Sequence, residues 1–385
     1  MNVRGMRRLG AATLAAAAAA VGAGCGGAAS DDDGDTLKIG VSVEKTGPVP
    51  ALGNALRGIE AAARSINDAG GVDGRQIELI VRDNAGDASK AIANVEEFHD
   101  RGAELVVGPV FGSNCEAIAP VVAKNDMVDV CLSTQDLDDE VDERQFALGV
   151  GYTETVGHDV AFLATRGDGI GVLAEKGPSG DQTEAIAQEA AKRAGATVHV
   201  EKIETTDTTA KAQIQKLLAK DVESIYVVSC GPVGIAAARE AIDLGFDGTV
   251  LEPNCFASAA GAQAMKSFAN GRVLISAPEF LLGPAPEGSS RRAAIARYQE
   301  ELDAPDTVVA AGWDALFFLG QAIEQAGSAE PEKIAATLED DFRFDGVWHA
   351  GTTTAEDHRG AVPEGALVAS VVTPEGTFEA LGETR

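Results

Sequence analysis

The stretch "AELVVGPVFGSNCEAIAPVVAKNDMVDVCLS", residues 103–133, decides how this chain is read. It opens on a short apolar run, "AELVVG", rich in the β-branched residues of a strand buried on both faces. It closes on a second run of the same kind, "MVDVCLS". Between them "SNCEAIAPVVAKND" carries its apolar residues at helical spacing. Strand, helix and strand in so short a span predict a crossover between parallel neighbours. The first junction is glycine, serine and asparagine where a packed turn would serve. Ser113 or Asn114 suits the helix cap, and Gly112 leaves backbone amides open at an N-terminus whose dipole favours an anion. Ser133 and Thr134, past the second strand, add hydroxyl donors. The junction thus reads either as a cap or as a seat of carboxylate size, and the rest of the chain has to choose.

The alternation continues outward in both directions. "LKIGVSV" (37–43) is a strand, and Leu52, Leu56, Ile59, Ala63 and Ile66 mark a helix that Gly70-Gly71 stops. "QIELIVRD" is the next strand, followed by a helix that starts at Asp87 or Ser89. The rhythm restarts with a helix from about Glu154. Strands "GIGVLAE", "ATVHVEKI", "ESIYVVS", "GTVLE" and "GRVLISA" follow, with helices at 180–195, 208–220 and "VGIAAAREAIDLG". The fold class is α/β, two doubly wound parallel-sheet lobes. After Pro278 the pattern is helical (288–302, 305–327, 330–339), then hairpin-like in "GALVASVVTPEGTFEAL". The late helices are expected to return to the first lobe, giving 36–150 plus 278–346 for lobe 1 and 151–277 plus 347–385 for lobe 2. Lobes joined by several crossings have a hinge that can open and close.

In open α/β sheets ligands bind beyond the carboxyl ends of the strands. The six junctions there are "EKTGPVPALGN", "GPVFGSN", "LSTQD", "EKGPSGD", "SCGPVG" and "EPNCF". Any one of them reads as a cap or turn. Six together, none with a catalytic set, favour a small-ligand cleft. No GxSxG, HExxH or Walker sequence is present, and the five histidines are scattered. Neither an enzyme, a metal nor a cofactor is expected. Nucleic acid is excluded as a partner, because a formal charge of -29 with no basic cluster repels phosphate.

The N-terminus has the layout of an export signal: Arg4, Arg7 and Arg8, then an alanine-rich stretch over 9–21, then "VGAGC". That ending resembles a lipoprotein cleavage site, with Cys25 as the acylated residue, so residues 1–25 are expected to be a signal. "GGAASDDDGD" (26–35) reads as a flexible tether. Export permits disulfides. Cys115 follows one strand and Cys131 ends the next, and Cys230 and Cys255 stand in the same relation in the second lobe. Adjacent strands are about 4.8 Å apart, close to what a bridge spans. Bridges Cys115–Cys131 and Cys230–Cys255 are expected, with buried free thiols the alternative.

Residues 36–385 resemble the leucine/isoleucine/valine-binding family of type I periplasmic binding proteins, the capture components of ABC importers. The resemblance rests on "KIGVSVEKTGPVPALGNALRGIEAAARSINDAGGVDGRQIELIVRDNAGDASKA", "LVVGPVFGS" and "DGVW". It implies a type I periplasmic-binding-protein fold, a small carboxylate ligand such as a branched-chain amino acid, ABC permease subunits as partners and an extracytoplasmic, membrane-anchored monomer. A sensory protein reporting to a membrane receptor or kinase is the alternative. Carried over by position, the carboxylate loops fall on Gly112, Ser113 and Asn114 and on Leu132, Ser133 and Thr134. A pocket-wall aromatic becomes Leu52, and family tyrosines become Ser179, Cys230 and Gly231. Tyr152, ahead of the second lobe's first helix, completes the set. The acid that meets the substrate ammonium in the family aligns with Asn254, which carries no charge. Glu252, two residues away on the same strand face, is the expected substitute. A ligand without an ammonium is the other solution, since a buried ammonium without a counter-charge is costly.

Overall fold

The computed structural model describes residues 36–48, 50–133, 144–148, 151–204, 207–229, 232–268, 271–285, 287–303, 306–359 and 367–381. A first sheet holds β1 (Thr36–Val43), β2 (Gln76–Asp83), β3 (Leu105–Val107), β4 (Val128–Cys131) and β5 (Gln145–Ala147). Its order is β2-β1-β3-β4-β5 and every pair is parallel. The crossovers are α1 (Ala55–Asp68), α2 (Ala88–Asp100) and α3 (Gly112–Lys124). Asp87 caps α2, its carboxylate accepting the Lys90 amide at 3.0 Å. On one face of the sheet Ile80 and Val106 pack with Val95, Phe98, Ile118 and Val122 of α2 and α3.

The chain then passes to α4 (Tyr152–Ala164) and builds a second sheet. Its first strands are β6 (Gly169–Glu175), β7 (Thr197–Ile203), β8 (Ser224–Val228), β9 (Thr249–Glu252) and β10 (Val273–Pro278). They alternate with α5 (Pro178–Ala194), α6 (Lys211–Leu218), α7 (Pro232–Asp243) and α8 (Ala259–Met265). Val172, Tyr226, Leu251 and Leu274 bury one face with residues of α4 and α5. Leu173, Val227 and Ile275 bury the other with α6, α7 and α8. Two apolar faces explain the near-continuous apolar runs of these strands.

Three helices follow, α9 (Arg292–Glu301), α10 (Thr307–Ala326) and α11 (Pro331–Glu339), and their apolar residues join the first sheet's core beside β1 and α1. Helices α1 and α10 approach until side chains are excluded: a Cβ at Gly58 would lie 1.9 Å from the Val309 carbonyl, and one at Gly312 2.2 Å from that of Ala55. Strands β11 (Phe342–Asp345) and β12 (Ala350–Thr353) form a separate antiparallel pair. The turn between them is held by Asp314 of α10, which is buried and accepts the amides of Val347 (2.8 Å), Trp348 (2.7 Å) and His349 (2.9 Å).

Finally β13 (Leu367–Val372) and β14 (Phe378–Ala380) add antiparallel strands to the second sheet, giving β14-β13-β10-β9-β8-β6-β7. The hairpin turns at Pro374-Glu375-Gly376, as its spacing predicts. One expected boundary moves. Val347 and Trp348 pack in the first core, and the Ala147 amide donates to His358 at 2.9 Å. The segment 347–359 therefore stays with the first lobe, because Asp314 and β5 hold it there, and the return to the second lobe follows Arg359 rather than residue 346.

The chain crosses between the sheets after β5, after β10 and before β13. Pro278, the last residue of β10, pairs with Leu367, the first of β13, so both crossings leave at one end of the second sheet. That end is the carboxyl edge of β6, β8, β9 and β10, and the crossing after β5 leaves the carboxyl edge of the first sheet. The two carboxyl edges therefore face each other across a multi-strand hinge, the architecture of a type I periplasmic binding protein.

Asp314→Ala strands three buried amides, and urea unfolding should show a loss of about 3 kcal/mol or more. Asp314→Asn keeps one acceptor oxygen and should lose less.

Candidate functional site

The first lobe's edge is organised by a residue at the end of β1. Glu44 is 2% exposed, and its carboxylate accepts the amides of Val110 and Phe111, both at 3.2 Å, and the side-chain amides of Asn84 (3.2 Å) and Asn114 (3.3 Å). Four donors satisfy a charge that burial alone would make prohibitive. Gly108 supplies the bend that brings the loop there. Its φ is +83°, and a Cβ would sit 2.3 Å from the Ser42 carbonyl.

The cap expected from Ser113 or Asn114 is not formed. Phe111 occupies the N-cap without a side-chain bond, and Asn114 is turned to Glu44 instead. Its side chain is better spent on a buried carboxylate than on an amide near solvent. The consequence is chemical. With Val110 and Phe111 committed to Glu44, the amides of Gly112 and Ser113 open α3 with no acceptor among the described residues. Gly112 is buried and Ser113 exposed. Phe111, 38% exposed, stands beside them as an apolar rim.

The neighbouring junction is tied to this one. The Leu132 amide donates to Pro109 at 2.9 Å, and a disulfide joins Cys115 to Cys131 with Cα atoms 6.0 Å apart. Leu132 and Ser133 are both buried. Leu52 lies half-buried in the turn Pro50–Asn54, packed on the first core. Thr134 lies outside the described residues.

Across the crevice the second lobe presents the ends of β6, β8 and β9. Ser179 sits in the first turn of α5, and its carbonyl accepts the Thr183 hydroxyl at 2.9 Å. Asn254 opens a short 3-10 turn after β9 and is half-buried. Cys255 is disulfide-bonded; Cys230, its expected partner, lies outside the described residues, as does Gly231. Tyr152 is the first residue of α4, with its side chain outside the described structure. Two acids complete the edge. The Ser229 hydroxyl donates to Glu175 at 2.9 Å, and burial raises the Glu175 carboxyl above its usual range, offset in part by that hydrogen bond.

Glu252 is not where its strand position suggested. It pairs in register with Ile275, whose side chain belongs to the apolar cluster of α6, α7 and α8, so its own side chain is directed into that cluster. It is fully buried and neither oxygen has a partner among the described residues. Loss of water pushes its carboxyl up to about 8. At neutral pH it holds its proton and supplies no counter-charge, so the expected substitute for the family's acid fails. Glu44, Phe111, Glu175 and Ser229 were not singled out from sequence. A signal existed: "EK" followed by a glycine loop ends the first strand of each lobe, at Glu44 and at Glu175.

Among the described residues no cluster of three His, Cys, Asp or Glu side chains could hold a metal ion. What the edge offers is donors on one side of a crevice and acceptors on the other, a binding arrangement.

Comparison with known proteins gives consistent results. A family model described as periplasmic binding protein matches residues 36–372. The "Leucine-, isoleucine-, valine-, threonine-, and alanine-binding protein" of Pseudomonas aeruginosa is 28% identical over 320 residues, 79% of this chain and 82% of its own length. A Leu/Ile/Val-binding protein of Rhizobium johnstonii is 25% identical over 320 residues, 79% and 83% of the two chains. The branched-chain amino acid transporter substrate binding protein of Streptococcus pneumoniae, solved in complex with isoleucine, superposes with a TM-score of 0.72 at 21% identity, covering 90% of this chain and 98% of that one. A putative branched-chain amino acid ABC transporter protein from Silicibacter pomeroyi gives 0.76 at 19% identity, covering 91% and 97%.

The Glu252 carboxyl is raised from 4.5 to about 8 on folding, so the folded state holds a proton that the unfolded chain releases. The stability involved is present in full below about pH 4.5 and is lost as pH rises toward about 8. Glu252→Gln should be near-neutral at pH 4.5 and stabilising at pH 8, by on the order of 3 kcal/mol in urea unfolding.

Proposed function

The chain belongs to the periplasmic binding protein family, and from that premise we propose that it captures a small carboxylate-bearing solute for an ABC importer. The solute class is a branched-chain amino acid or a related amide or aromatic acid. Capture proceeds by lobe closure: the ligand touches both carboxyl edges only when they approach, and that difference in affinity drives the change. The loaded protein then docks on permease subunits as a monomer. Cys25 carries the lipid that holds it at the outer face of the membrane, and residues 26–35 are the tether. None of the proposed roles is catalytic.

The observation that carries this reading is the pair of amides at Gly112 and Ser113. They begin a helix of 13 residues, so the helix dipole reinforces them, and no acceptor of the described chain occupies them. A carboxylate fits two adjacent N–H donors. Ser133 adds a hydroxyl at the same edge, and Leu52 and Phe111 supply apolar surface for the ligand's body.

A thermal-shift panel of L-amino acids, their amides and aromatic acids tests it. A true ligand at a hundredfold excess over its Kd adds about 2.7 kcal/mol, a rise of ~5 °C in Tm. Ser113→Pro deletes one of the two amides at a position where the helix tolerates proline. It should weaken the best carboxylate about tenfold or more, with the unliganded Tm little changed. A ligand equally tight to both proteins would place the carboxylate elsewhere.

A further inference from the structure

The first lobe carries a second hollow, away from the crevice. A cavity of about 450 Å³ lies between the end of α1, the helices α9 and α10, and the turn after β11. Ile66 and Ala69 of α1, with Gly71 and Val72, form one wall. These residues precede Gln76, which pairs with Thr36 at the first step of β1 and β2, so the hollow lies towards the amino edge of the sheet. The amides of Gly112 and Ser113 belong to the carboxyl edge, and none of the described junction residues lines this space.

A glycine keeps the space open. Glycine is a poor residue inside a helix, and α10 uses two, Gly312 and Gly320. Contact explains Gly312, because the α1 backbone leaves no room for a Cβ. Gly320 has no such neighbour: a Cβ there would meet only the Val72 methyl at 3.5 Å, an ordinary contact. Gly320 lines the cavity, so a longer side chain at this position would fill it. Ala69, Ala293 and Ala294 keep the other walls equally short. A packed core closes such gaps, since unfilled apolar walls forfeit contacts. The volume is that of small-molecule sites, roughly 300–1,000 Å³.

The lining selects by charge as well as by size. Trp313, Phe317 and Phe344 give it aromatic surface, and three carboxylates line it with one guanidinium. That guanidinium, of Arg297, is spent within the wall. It donates to the Ser65 hydroxyl and carbonyl, both at 2.8 Å, and lies 4.9 Å over the Phe317 ring. Of the carboxylates, Asp345 pairs with Arg343 at 2.9 Å, and Asp314 is sealed under its three amides. Glu324 is left over: it is exposed, with no ion pair among the described residues. Aromatic walls and a spare carboxylate favour a cation on an apolar body.

We propose that this cavity is a second ligand site that takes a small organic cation, an amine whose apolar body occupies the space beside Gly320 while its ammonium meets Glu324. The proposal does not depend on the carboxylate reading above, since the two sites share no residue and prefer opposite charges.

Calorimetric titration of the purified full chain with 2-phenylethylamine, and with its uncharged counterpart 2-phenylethanol, tests it. The amine should bind about fivefold tighter than the alcohol, the scale of an ion pair near the surface, and Glu324→Gln should bring the two within about twofold. Gly320→Leu fills the space and should weaken the amine about tenfold or more. Ala294→Leu does the same from another wall, so the test survives if the first variant fails to fold. Equal wild-type affinity for amine and alcohol overturns the proposal and needs no variant, as does an absence of binding by either. A preference unchanged by Glu324→Gln overturns it as well. Undiminished amine affinity in a folded cavity-filling variant, judged by circular dichroism and unliganded Tm, puts the amine elsewhere and overturns it too.

Discussion

A buried anion governs the first lobe's edge. Glu44 lies at the end of a central strand with almost no contact with water, where an unpaired carboxylate would cost several kcal/mol. The chain meets it with the amides of Val110 and Phe111 and the side chains of Asn84 and Asn114. Those four bonds bring the ends of β1, β2 and β3 to one point. They also settle which helix-start amides are spent inside the protein and which remain. The two amides of Gly112 and Ser113 are therefore what Glu44 leaves over among the described residues, and their position is fixed by the same contacts that stabilise the lobe.

The architecture was legible because burial on two faces writes itself into the strands. "LKIGVSV" and "GIGVLAE" are apolar along their length, and helices with Gly or Asp at their ends separate them, so the two main sheets followed, while the short β5 and the separate pair β11-β12 did not. The late helices and the closing hairpin followed as well. The lobe boundary near residue 347 did not. Its place depends on Asp314 reaching three amides more than 30 residues away, a contact with no local pattern.

The site was legible only as a region. Strand-end junctions located the crevice, and spacing between strand ends located Cys115 with Cys131. Assigning roles within the junctions required side-chain direction. Asn114 looked like a cap and is a ligand of Glu44. Glu252 looked like a counter-charge and is directed into the apolar cluster of α6, α7 and α8, because its register partner is Ile275. Glu175, overlooked four residues before Ser179, ends β6 half-buried and accepts the Ser229 hydroxyl. Its likeness to Glu44 emerges only when the two sheets are laid out strand by strand, since the surrounding sequences share little beyond Glu-Lys and nearby glycines.

The central claim is that a solute's negative end sits on the two amides that Glu44 leaves free. A crystal structure with the tightest binder of the panel tests this most directly. The account predicts a carboxylate oxygen within hydrogen-bond reach of the Gly112 and Ser113 amides, between closed lobes. A binder held outside the crevice, or one that turns an uncharged group toward those two amides, would contradict it.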